Sequence, residues 1–104
     1  MTLPKKHRGA HAELIAASWL LTQGYEVFRN VSPHGVADII AINFETGERL
    51  LIDVKSTYFG GYKIATGEFV QVETMTKKPS EDQRRHGVRI LFVMRDGSCV
   101  LSTA

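Results

Sequence analysis

Cysteine is almost absent from this chain of 104 residues, where Cys99 stands alone. One thiol excludes an intrachain disulfide framework and a thiolate zinc site, and it fits a reducing compartment. No apolar run approaches the roughly 20 residues that cross a bilayer. Lys5, Lys6 and Arg8 followed by the apolar run 12–21 loosely imitate a signal peptide. That run contains Glu13, and Thr22-Gln23-Gly24 follows it with no small-x-small cleavage site, so a cytoplasmic amphipathic helix is the expectation. A charge excess is lacking too: 13 Lys and Arg against 11 Asp and Glu give +2, which by itself points to no nucleic acid and no membrane surface. The low net charge, with 43% apolar residues, argues against disorder. Repeats, linkers and low-complexity tracts are missing as well. The expectation is one small domain, 1–104, because two halves would each be too small to bury a core.

Pro4 opposes helix, so residues 1–8 read as a basic N-terminal arm. A helix is expected over 9–23, where Leu14, Ala17, Ser18 and Leu21 recur at helical spacing with Ile15 and Trp19 beside them, and Gly24 stops it. Strands are expected over 25–30, 36–42 and Arg49–Ser56, separated by Ser32-Pro33-His34-Gly35 and Glu45-Thr46-Gly47. Phe59-Gly60-Gly61-Tyr62, within 57–62, reads as a mobile loop because paired glycines free the backbone. Residues 69–72 read as a further strand. A short second helix starts at Pro79 or Ser80 and ends near Gly87. Strands over 88–95 and 99–102 flank the turn Asp96-Gly97. This order predicts an α/β domain, a mixed sheet with helices packed on it.

Two apolar strands carry residues that are expensive to bury. In 36–42, Asp38 shares a face with Val36, Ile40 and Ile42. In the next strand, Asp53 and Lys55 share a face with Leu51, while Leu50, Ile52 and Val54 take the other. An unpaired buried carboxylate costs several kcal/mol, so each acid needs a partner or a cation. Two acids converging on one point repel each other but suit a hard divalent cation such as Mg²⁺, which takes one or two carboxylates with water and substrate phosphate. Lys55 beside them suits holding an attacking water or offsetting charge on a phosphorane. Glu13, the acid of an otherwise apolar helix, fits as a third member. Structural alternatives stand beside each: an Asp53–Lys55 ion pair, a turn-capping Asp38, and a solvated Glu13.

Glu13 on the first helix, Gly35-x-x-Asp38 on a strand and Asp53-x-Lys55 on the next resemble the PD-(D/E)XK nuclease superfamily, and within it the archaeal-type Holliday junction resolvases. Arg8-Gly9-x-x-x-Glu13, Gly35-Val36-Ala37-Asp38-Ile39-Ile40-Ala41 and Asp53-Val54-Lys55-Ser56 carry the resemblance, over about residues 8–57. The segment Gly24-Tyr25-Glu26-Val27-Phe28-Arg29-Asn30 also resembles a bacterial family of nuclease-like proteins. The pattern differs in three ways: no proline precedes Asp38, position 53 is Asp where resolvases carry Glu, and the second helix is short. The resemblance implies a restriction-endonuclease-like αβββαβ core, a mixed central sheet flanked by helices. It also implies Mg²⁺-dependent cleavage of DNA phosphodiesters, with Mn²⁺ as substitute. By motif position Glu13, Asp38, Asp53 and Lys55 would be catalytic. Asp38, Asp53, the Val54 carbonyl and Glu13 would hold metal.

Basic residues cluster at Lys5, Lys6 and Arg8, at Lys77 and Lys78, and at Arg84, Arg85 and Arg89. If metal neutralises the three acids, the balance becomes more positive and suits a phosphate backbone. The expected DNA contacts are Lys5, Lys6, Arg8, Ser32, His34, Ser56, Gln83 and Arg84. No helix-turn-helix, zinc finger or long insertion remains for base readout, so the chain is expected to read DNA shape or to dimerise. Paired nicks in a branched junction need two active sites, hence a homodimer. A restriction- or homing-type nuclease on linear duplex DNA, and a non-catalytic DNA-binding module, are the alternatives.

Overall fold

The computed structural model describes residues 3–32, 34–75 and 77–103. The first two residues of the expected arm and Pro33 of the expected turn lie outside them, as does the Lys5 side chain. Helix α1 spans Lys5–Thr22, and strands β1 (Tyr25–Arg29), β2 (Ile39–Asn43) and β3 (Arg49–Ser56) follow. Next come β4 (Tyr58–Lys63), β5 (Phe69–Thr74), helix α2 (Glu81–Arg85), β6 (Val88–Val93) and β7 (Cys99–Leu101). Five strands form one sheet in the order β1-β2-β3-β6-β7. All neighbours are antiparallel except β3 and β6, which run parallel and make the sheet mixed. β4 and β5 pair into a separate two-stranded sheet.

α1 begins four residues before the expected helix. Pro4 stands at its N-cap, where a missing N–H costs nothing, and the Pro4 carbonyl accepts from His7 N at 2.9 Å. Lys6, His7 and Arg8 therefore stand on helix, not in an arm. Gly24, at φ +89, takes the left-handed conformation that ends the helix. The buried stripe is Ala12, Ala16 and Leu20, while Leu14 and Leu21 of the expected face are exposed. Alanines allow α1 to lie close on the sheet, where Ile39, Ala41, Leu50, Ile52, Val54, Leu91 and Val93 complete the core. Fully burying each of the larger aliphatic side chains contributes about 1.5–3 kcal/mol.

Three further expectations change. β2 starts at Ile39 instead of Val36, so Asp38 immediately precedes the strand. The glycine pair Gly60-Gly61 is not a loop but part of β4, paired with Val72 and Gln71. The aromatic residues flanking the glycines favour strand, and a partner strand supplies the backbone bonds. The sixth strand ends at Val93, since Met94 N and Gly97 N already serve the turn to β7. β3 occupies the expected Arg49–Ser56 and lies at the centre of the sheet. No helix among the described residues is long and apolar enough to cross a membrane.

Candidate functional site

Alternation along β3 divides its side chains. Leu50, Ile52 and Val54 face α1, so Leu51, Asp53 and Lys55 face away from it. On that outer face Asp53 stands beside its register partner Ile90, which is buried. Asp38 comes up on the other side. Its N–H donates to Ile52 O at 2.8 Å, and its carbonyl accepts from Asn30 N at 2.9 Å, so it bridges β3 and the end of β1 although residues 36–38 are irregular. Its carboxylate Oδ2 accepts from Val54 N at 2.8 Å. The two acids thus meet where β2 enters the sheet. The Val54 carbonyl points to the same strand edge as its N–H, toward Asp38.

Asp53 is 8% exposed. Burial above all, and then the adjacent Asp38 carboxylate, push its carboxyl above the usual range, while Lys55 pulls it down. Lys55 Nζ lies 3.5 Å from Asp53 Oδ2 and is half exposed. The ammonium lies against the Asp53 carboxylate. The donor set is hard oxygen, without sulfur or imidazole, and that is the chemistry of a Mg²⁺ or Mn²⁺ site completed by water and phosphate. The residues present fit such an ion.

Glu13 shares a polar cavity with Asp38 and pairs there with Arg29. α1 covers the opposite face of the sheet, and Glu13 Oε1 lies 3.9 Å from Arg29 Nη2. Among the described residues no group of three or more His, Cys, Asp or Glu is gathered to hold a metal, so Glu13 does not complete a three-acid cluster with Asp38 and Asp53. The polar cavity of about 420 Å³ that it lines also contains Arg29, Asn30, Ser32, His34 and Asp38. Ser32 and His34 are exposed on this rim, and Ser56 is exposed at the end of β3. Lys6 and Arg8 are exposed on α1 before Glu13, and Arg84 is exposed on α2.

Gln83 makes two hydrogen bonds within the fold. Its Oε1 accepts from Ser80 N at 2.9 Å, and its Nε2 donates to Val36 O at 3.1 Å. Arg29 and Asn30 belong to the site but were missed by sequence reasoning. The available signal was Arg29-Asn30 closing the strand just before the turn that leads to Asp38.

The five-stranded mixed sheet flanked by helices is an endonuclease-like α/β fold. The solved structure of a bacterial homing endonuclease, I-Ssp6803I, superposes with a TM-score of 0.61 at 13% identity, over 96% of this chain and 69% of that one. No family model matches the sequence, and no curated protein does.

Proposed function

We propose that this chain is a divalent-metal-dependent DNA endonuclease of the PD-(D/E)XK type. The observation that carries the reading is the buried Asp53 of the central strand, beside Asp38 and with the Lys55 ammonium against it. Asp38 and Asp53 would hold Mg²⁺ or Mn²⁺, with the Val54 carbonyl at the same edge. When bound, such an ion acidifies a coordinated water and offsets charge on the phosphate. The chain's own residues do the rest. Val54 N–H holds one oxygen of Asp38 and leaves the other to the site. Lys55 Nζ, half exposed, holds a water or a phosphate oxygen beside Asp53. Glu13 keeps Arg29 at the cavity wall, where a guanidinium suits a phosphate. Lys6, Arg8 and Arg84 supply exposed charge for the backbone.

Two substrates are carried by different observations. The motif resemblance favours a branched junction cut by a homodimer. The fold shared with a homing endonuclease over nearly the whole chain favours linear duplex DNA. The test is cleavage of a labelled four-way junction beside the matching duplex, with Mg²⁺, Mn²⁺ or EDTA, for wild type and Asp53→Ala. Metal-dependent cutting that is lost in Asp53→Ala supports the nuclease. Paired nicks confined to the junction select the resolvase, and cutting of the duplex selects the homing type. DNA binding without cutting by folded protein in either metal contradicts the enzyme and leaves a binding module.

A further inference from the structure

We propose that Asn30 and Gln83 are positioning residues that clamp the irregular segment before β2 and so aim the Asp38 carboxylate at Asp53. This rests on the reading of Asp38 as an active-site acid. Residues 36–38 have no regular structure, yet two consecutive carbonyls there are held by side-chain amides from separate parts of the chain. Gln83 of α2 donates to Val36 O at 3.1 Å, across 47 positions of sequence. Asn30, just past β1, donates to Ala37 O at 2.9 Å. Asp38 N and O are then bonded to Ile52 and Asn30, and its Oδ2 reaches Val54 N.

Each amide is held at both ends. Gln83 Oε1 accepts from Ser80 N, and Asn30 Oδ1 accepts from Ser32 N at 2.7 Å. A flipped amide would face oxygen with oxygen and N–H with N–H, so one orientation is enforced. A carboxylate could accept but not donate, and an apolar side chain could do neither. Gly35 belongs to the same device. A Cβ there would lie 2.5 Å from Asn30 Nδ2, so this position of the Gly-x-x-Asp motif makes room for the amide. Gln83 also closes the capping box of α2 with Ser80, so a single side chain ties the helix start to the acid-bearing segment.

The decisive variants separate the clamp from the cap. Gln83→Glu retains the acceptor for Ser80 N and a good capping residue, but sets a carboxylate oxygen against Val36 O. Ser80→Ala weakens the cap and leaves the tether. Amide hydrogen exchange is read on metal-free protein. Val54 N–H should exchange about tenfold faster in Gln83→Glu and in Asn30→Asp, as for one lost hydrogen bond. Ile90 and Leu91 should keep wild-type protection in both, and Val54 should keep it in Ser80→Ala. Mn²⁺ binding followed by electron paramagnetic resonance should weaken about tenfold in Gln83→Glu and remain unchanged in Ser80→Ala. Unchanged Val54 exchange in both amide variants overturns the clamp, and so does faster exchange with wild-type Mn²⁺ affinity. If wild-type protein binds no Mn²⁺, the metal reading fails, and the exchange data alone decide the clamp.

Discussion

Replacing Asp38 by alanine and by asparagine should separate its structural bond from its chemistry. Both substitutions remove the charge that disfavours ionised Asp53, so that relief is common to them. They differ at Val54 N, a donor of a buried residue whose partner is Asp38 Oδ2 at 2.8 Å. Asparagine keeps an oxygen there. Alanine leaves the N–H unsatisfied, which costs about 1–3 kcal/mol. For a domain of this size each kcal/mol moves Tm by about 4–8 °C, so Asp38→Ala should melt at least that far below Asp38→Asn. Melting followed by circular dichroism in EDTA reads the difference. Cleavage with Mg²⁺ should be lost in both, because neither offers a second carboxylate. Equal melting temperatures would refute the role of Asp38 in holding Val54, and wild-type cutting by Asp38→Asn would refute its role as a metal-site acid.

Asp53→Asn should stabilise the metal-free protein at neutral pH. The folded-state pKa of Asp53 is raised, so the native state binds more protons than the unfolded chain between the two pKa values. Wild-type stability should therefore fall as pH rises from the ordinary carboxylate range through the raised value, and Asp53→Asn should lose that slope in denaturant titrations. Lys55→Ala should abolish cleavage yet leave Mn²⁺ affinity within about threefold, since an ammonium contributes no ligand; a calorimetric titration checks this. Leu20→Ala, at a fully buried position under the sheet, should cost about 2–5 kcal/mol by urea unfolding. Gly35→Ala should displace the Asn30 amide from Ala37 O and speed exchange at Val54 without changing the melting of α1.

Legibility in the sequence followed the range of the interactions. β3 could be read residue by residue, because a continuous apolar run interrupted by an acid and a lysine is local information, and alternation puts Asp53 and Lys55 on one face. The face of Asp38 was legible from alternation, but its place next to Asp53 was not, because residues 36–38 are irregular and are held by Asn30 and Gln83. The buried face of α1 was not. Leucines at 14 and 21 outweigh alanines on any hydrophobicity scale, but close approach to a sheet selects Ala12 and Ala16 and leaves the leucines outside. Glu13 was legible in part: the acid of an apolar helix does reach the cavity that Asp38 lines, but its pairing with Arg29 depends on how α1 docks. The glycine pair at 60 and 61 reads as loop locally and becomes strand because β5 pairs with it. Gln83 illustrates the limit most sharply. Its bond to Val36 O depends on how α2 docks, which no local pattern encodes.

The central claim is that Asp38 and Asp53 share one divalent cation. Crystals grown with Mn²⁺ and measured at the manganese edge test it most directly. The account predicts an anomalous peak between the two carboxylates, absent in Asp53→Asn. A peak elsewhere, such as the Glu13–Arg29 wall, or none at saturating Mn²⁺, would contradict it.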